Sequence, residues 1–144
     1  MNYRYMYRGK HVHAMSKNAH LNGKWIEGYL ASEDYIYSPE LEGEFLIVPD
    51  TICQCTAEMD KHQNLIYEND IVRETRCDCI GVIKFGESEK GYGWYIKWIS
   101  PKAKYFRSDF LYWIREGNLS VYGNTIDNPE LVMCSEDEFL EKSS

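Results

Sequence analysis

The chain contains no apolar run approaching the ~20 residues that cross a bilayer as a helix. Met1 to Lys10 has no apolar core, so the N-terminus does not read as a secretory signal. No internal repeat, linker or low-complexity stretch interrupts the 144 residues. A P-loop, a Rossmann glycine pattern and a Ser/His/Asp order are likewise missing, and with them the commonest sequence signatures of nucleotide and hydrolase chemistry. Basic residues are in deficit, 16 against 23 acidic, for a net charge of −7. Residues 134–144 carry −3 of this through Glu136, Asp137, Glu138 and Glu141 against Lys142, which leaves −4 on the body. That balance favours solubility and disfavours unspecific attraction to nucleic acid, while still permitting a local basic patch. The expectation is a soluble cytoplasmic protein with no membrane partner. Its five cysteines, an odd number without an export signal, are expected to be reduced thiols.

What is present is hydrophobic and aromatic. The chain is 44% hydrophobic, with twelve tyrosines and four tryptophans, which is enough for one continuous interior and suits pleated faces. Tyr3, Tyr5 and Tyr7 alternate with Arg4, Met6 and Arg8, a period of two that predicts a strand ended by Gly9-Lys10. Residues 11–23 are polar and aperiodic and predict a loop. Further strands are expected at Trp25–Leu30, where Gly28 allows a close neighbour or a bulge, and at Tyr35–Tyr37, Phe45–Val48 and Thr51–Thr56. Asp60 to Asn64 reads as a turn in which Asn64 tolerates the left-handed conformation. Ile80–Phe85 and the strand holding Trp94, Ile96 and Trp98 on its inner face flank Gly86–Gly93, read as a mobile hairpin tip. Phe106, Phe110, Trp113 and Ile114 fall on one side of a helix over Ser108–Glu116, with Ser108 as N-cap and Gly117 as the terminating glycine. Leu119–Tyr122 returns to strand, Asn128-Pro129 opens a second short helix, and Ser135 with Glu138 forms a capping box in the tail.

The fold expectation is therefore mainly β: a small, closed antiparallel β-barrel in the C-terminal half, an N-terminal β meander, and one or two short helices. Residues 1–50 form the meander, 51–133 the barrel and 134–144 an acidic tail, together one compact unit.

Four segments resemble, in order, the YopX family of phage and prophage proteins. They are Tyr7-Arg8-Gly9-Lys10, Gly23 to Leu30, Thr51 to Val72, and the phrase Gly123-Asn124 with Asn128-Pro129-Glu130-Leu131. The family pattern has glycine where Cys53, Ala57 and Asn69 stand, and an aromatic residue at Cys55. Asn69 can take positive φ in glycine's place, whereas Ala57 can do so only at a cost. The resemblance implies an SH3-like roll for the C-terminal part, a phage or prophage product working in bacterial cytoplasm, and no catalytic residues to transfer.

Candidate chemistry is sparse. Cys53/Cys55 and Cys77/Cys79 could each present two thiolates on a strand face, but zinc sites usually space cysteines two or more residues apart, so small core residues are the favoured reading. His11, His13 and His20 read as loop histidines and not as a metal site. Glu68 and Asp70 read as turn-capping carboxylates in preference to a general acid–base pair. No metal, cofactor or catalytic residue is expected. The leading function is a non-enzymatic adaptor that binds a host or phage protein, and strand edges also offer surface for self-association. The alternative is nucleic-acid binding by the basic-aromatic segment 97–115 through Lys97, Lys102, Lys104, Tyr105 and Arg107.

Overall fold

Strands make up most of the regular backbone of the computed structural model, which describes residues 3–12 and 20–133. Two units are distinguished, Met1–Ala57 and Glu58–Ser144. No helix among the described residues is long and apolar enough to cross a membrane.

The first unit holds β1 (Tyr7–Lys10), β2 (Trp25–Ser32), β3 (Tyr35–Ser38), β4 (Gly43–Leu46) and the start of β5 (Cys53–Met59). These pair antiparallel in the order β4-β3-β2-β1-β5. Ile26, Ile36, Phe45 and Ile47 form the core, with Tyr7, Leu21 and Ile52 packed on it. Gly28 lies where β2 meets β3, and a Cβ there would fall 1.9 Å from the Tyr37 carbonyl oxygen, so glycine is required by space alone. Arg8 and Lys10 lay their cationic ends over the Trp25 ring at 4.5 and 5.0 Å, which gives the basic face of β1 a neighbour. The predicted strand over Tyr3–Tyr7 is corrected. Tyr3–Tyr5 form a 3₁₀ turn that turns Met6 inward, because the tyrosine-arginine alternation contains no second apolar residue to hold a pleat against the core.

The second unit adds β6 (Leu65–Tyr67), β7 (Asp70–Glu74), β8 (Cys79–Ser88), β9 (Gly91–Trp98), α1 (Phe110–Glu116), β10 (Leu119–Asn124) and helical residues 129–133. Its four-stranded antiparallel sheet has the order β10-β7-β8-β9. Neighbouring residues on a strand face opposite ways, and here both ways are apolar. Val72, Ile83 and Ile96 join Ile66, Leu119, Phe110 and Trp113 on the α1 side. Ile71 and Val82 join Ile99, with Ile80, Leu131 and Val132 packed against them. Thus the runs Ile71-Val72 and Val82-Ile83 are continuous because both sheet faces are covered. The closed barrel is accordingly corrected: the described strands form two antiparallel sheets and no closed barrel. In the second unit α1 and residues 129–133 provide the cover that closure would otherwise supply.

Three local expectations also change. The strands β8 and β9 pair as far as Ser88↔Gly91, so only Glu89-Lys90 turn, and Gly86 and Gly93 sit opposite each other inside the strands at φ 151° and 154°. The left-handed residue of the Asp60–Asn64 turn is Gln63 (φ 67°), not Asn64. The helix starts two residues late, at Phe110. The Ser108 carbonyl accepts the Ile96 N–H at 2.8 Å, and the Asp109 carboxylate is held by Arg107 at 3.0 and 2.6 Å instead of capping the helix. Gly117 ends it in the left-handed conformation, as expected. Asn128 turns its side-chain oxygen to the Asn124 N–H (3.2 Å), while the Ser135–Glu138 capping box lies outside the described residues.

Buried carboxylates organise three successive turns. Asp60, 6% exposed, accepts the His62 and Asn64 N–H groups on one oxygen (2.8 and 2.9 Å) and the Val121 N–H on the other (2.8 Å). The Val121 bond ties the β5–β6 turn to the bulge in β10. Asp70, fully buried, accepts the Tyr67 N–H at 2.8 Å across the turn through Asn69 (φ 69°). Glu74, 2% exposed, accepts the N–H groups of Arg76 and Cys77 (both 3.2 Å), with the Arg76 guanidinium at 3.0 Å. Burial raises the pKa of Asp60 and of Glu74, but the hydrogen bonds together outweigh it, and both titrate below their ordinary values of 3.8 and 4.5.

Two consequences can be measured. Ala57 holds φ 67°, a conformation that costs an L-residue roughly 1–2 kcal/mol. Ala57→Gly should therefore raise stability by about 0.5–1 kcal/mol after the greater entropy of an unfolded glycine is deducted; an unchanged or lower urea midpoint would contradict the assignment. Asp60→Asn leaves one acceptor oxygen for N–H groups on both sides of the carboxylate, and should cost about 2 kcal/mol. Since both native pKa values are depressed, the carboxylate contribution is full above about pH 5 and is lost as pH falls through the ordinary and then the native values. The same variant should flatten that acid limb in urea titrations between pH 6 and 3.

Candidate functional site

The thiols are settled by their surroundings. Cys53, Cys55 and Cys79 are buried, Cys77 is half-buried, and none of the four is in a disulfide. The Cys53 thiol donates to the Thr51 carbonyl at 3.4 Å, and the Cys77 thiol donates to Glu74 Oε2 at 3.0 Å. Burial, then the Glu74 carboxylate, pushes Cys77 up to about 12, so it stays a protonated thiol at neutral pH. Among the described residues no group of three or more His, Cys, Asp or Glu side chains is placed to hold a metal. His11 is a core residue, its ring bonded through Nδ1 to the Leu46 carbonyl at 2.7 Å and edge-on to Phe45. His20 is exposed, and His13 lies outside the described residues.

Glu68 and Asp70 do not share an open face. Asp70 is sealed beneath its turn while Glu68 is half-exposed, which fits capping and removes the geometry an acid–base pair needs.

Segment 97–115 separates into a fixed inner layer and an open outer one. Inside, Trp98 and Trp113 both donate their indole N–H to a single acceptor, the Arg107 carbonyl, at 2.8 and 2.7 Å. Phe106 stacks on Trp113 (5.3 Å between ring centres) and meets Trp98 edge-on (5.2 Å). These rings lock residues 101–107 onto β9. Outside, Lys97, Lys102, Lys104, Tyr105 and Arg107 are all exposed, but the fold divides them. Lys97 and Lys104 line a cleft of about 400 Å³ with Trp98 and Phe106. Lys102 reaches back to the Cys77 carbonyl at 2.8 Å, and Tyr105, 89% exposed, has the Lys104 ammonium 5.6 Å from its ring. Arg107 faces a second, larger groove, with its guanidinium over Tyr112 at 4.3 Å.

That second groove, about 540 Å³, lies between β9 and α1 and draws on Trp94, expected only as an inner-face residue, and on residues the sequence did not single out: Lys90, Tyr92 and Leu111. Tyr92 is 77% exposed and Leu111 52%. The available signal was a tyrosine set between two glycines, Gly91-Tyr92-Gly93, which the glycines disguise as a loop.

The thiol geometry makes a direct prediction. In a Cys134→Ser variant, iodoacetamide at pH 8 should leave the remaining four cysteines unmodified in the native protein and alkylate all four in urea; rapid native labelling of Cys77 would show that it is a thiolate.

No curated protein matches the chain. The family described as YopX protein matches over residues 4–133. With nearly the whole described chain covered by that match, this protein belongs to the YopX family.

Proposed function

We propose that this chain is a non-enzymatic accessory protein of a phage or prophage, acting in bacterial cytoplasm as an adaptor that binds another protein. In this reading the second unit is an SH3-like roll left open at β9. The observation that carries it is the surface along β9 and α1, where Tyr92 and Leu111 stand exposed around a groove beside Tyr112 and Trp94. Exposed apolar side chains gathered at a concave site mark interaction surfaces. The absence of catalysis is supported from the other side: Asp60, Asp70 and Glu74 are committed to turn N–H groups, and Cys77 is held as a thiol.

One observation favours nucleic acid instead, the exposed Lys104–Tyr105 pair beside Lys97 and Lys102. Base stacking needs free ring faces. Trp98, Phe106 and Trp113 occupy one another and Arg107 covers Tyr112, which leaves Tyr105 as the open face in that segment. Protein binding is therefore the preferred reading.

Tagged protein, cross-linked in a bacterial lysate treated with nuclease, should retain a specific protein partner, and a fluorescein-labelled oligo-dT should show no binding at 50 mM salt. Loss of every partner on nuclease treatment, together with oligo-dT binding, would reverse the order of the two readings.

A further inference from the structure

The sheet of the second unit ends at β9, and only half of that edge is occupied. Residues 108–109 lie along its C-terminal part: Tyr95 bridges Asp109 antiparallel, and the Ile96 N–H donates to the Ser108 carbonyl at 2.8 Å. In an antiparallel ladder the backbone polar groups of alternate residues point to the same side. Ile96 points outward, so Trp94 and Tyr92 do too, while Gly91 and Gly93 point at β8. No described segment pairs with Gly91–Gly93 on the outer side. This edge already accepts one added strand from its own chain, and it has a vacant continuation in line with it.

The surroundings of that continuation define what would fit. Across the groove from Tyr92 stand Leu111, Tyr112 and Arg115 of α1. Lys90, Arg107 and Arg115 make the lining cationic, and its one carboxylate, Asp109, is already held by Arg107. Arg115 is exposed and makes no ion pair among the described residues. Such a cluster stands out in a chain of net charge −7. Gly91 and Gly93 put no side chain on the sheet face beside Tyr92, and a Cβ on either would meet nothing within 4 Å.

We propose that this groove binds an extended acidic peptide segment of a partner protein as an added strand on β9. The partner's backbone takes the outward N–H and C=O of Tyr92, its carboxylates meet Lys90 and Arg115, and an apolar side chain rests on Leu111. Strand addition beside a helix is a general way to gain affinity from main-chain hydrogen bonds and selectivity from flanking side chains. The assignment rests on the adaptor reading and names the site and partner chemistry that reading lacks.

The test is selection of random twelve-residue peptides displayed on a carrier against the full chain, repeated with a Lys90→Glu/Arg115→Glu variant whose thermal midpoint matches the parent. Enriched peptides should be acidic and poor in proline. They should bind at least ten-fold more weakly to the variant, and equally weakly when alternate backbone amides are N-methylated. No enrichment, enrichment of basic peptides, or equal binding to the variant would overturn the assignment. So would oligo-dT binding, or a dimer by sedimentation, that the same variant abolishes, since either gives the groove a different occupant. Lysate capture separates the two levels: a partner retained equally by parent and variant removes the groove but keeps the adaptor, and no partner for either removes both.

Discussion

A carboxylate that leaves water to collect backbone N–H groups is the interaction on which the second unit depends. Burying an isolated charge costs several kcal/mol, and only several charge-assisted bonds can offset it. Asp60 meets that condition with both oxygens, one closing its own turn and the other reaching the Val121 N–H. Val121 lies at the point where the register of β10 against β7 shifts, so an N–H that the bulge leaves over finds its acceptor in Asp60. Asp70 and Glu74 repeat the device at the next two turns, and Asn124 does so with its amide oxygen, accepting the Ile126 and Asp127 N–H groups at 3.1 and 2.8 Å. The buried acids that a chemist would first suspect of catalysis are thereby absorbed into turn geometry.

The sheet depends on that geometry in turn. With β6, β7 and β10 held by their ends, Ile71-Val72 and Val82-Ile83 present apolar side chains to both faces, and each face finds its own cover. Nothing remains to drive closure into a cylinder. The edge at β9 stays accessible, protected in part by the chain's own residues 108–109 and in part by its glycines and cations.

Much of this was legible in the residues. The indole-bearing inner face of β9, the Phe110, Trp113 and Ile114 side of α1 and the close approach at Gly28 follow from local pattern, because local pattern is what decides them, while the left-handed turn at Asn69 follows from the glycine of the family pattern; Phe106, expected on the same helical stripe, lies before α1. Where long-range pairing decides, the residues mislead. Gly86 and Gly93 look like a loop but face each other across a ladder, and Ser108 looks like a helix cap but is claimed by the Ile96 N–H. Ala57 takes a glycine conformation inside β5, where its own residue type gives no sign of it. The candidate site was half visible. Lys97, Lys104 and Arg107 could be found by charge, but only folding sorts them into different clefts and brings Lys90 and Tyr92 opposite Arg115.

The shared acceptor at Arg107 has one more implication. Its carbonyl holds the indole N–H of both Trp98 and Trp113, while its guanidinium, at the far end of the side chain, faces the groove. A shift of the Arg107 main chain changes the hydrogen bonds of two chromophores at once. Two of the four indoles of the chain thus share one backbone acceptor at this outer rim, and their ultraviolet emission is tied to its position.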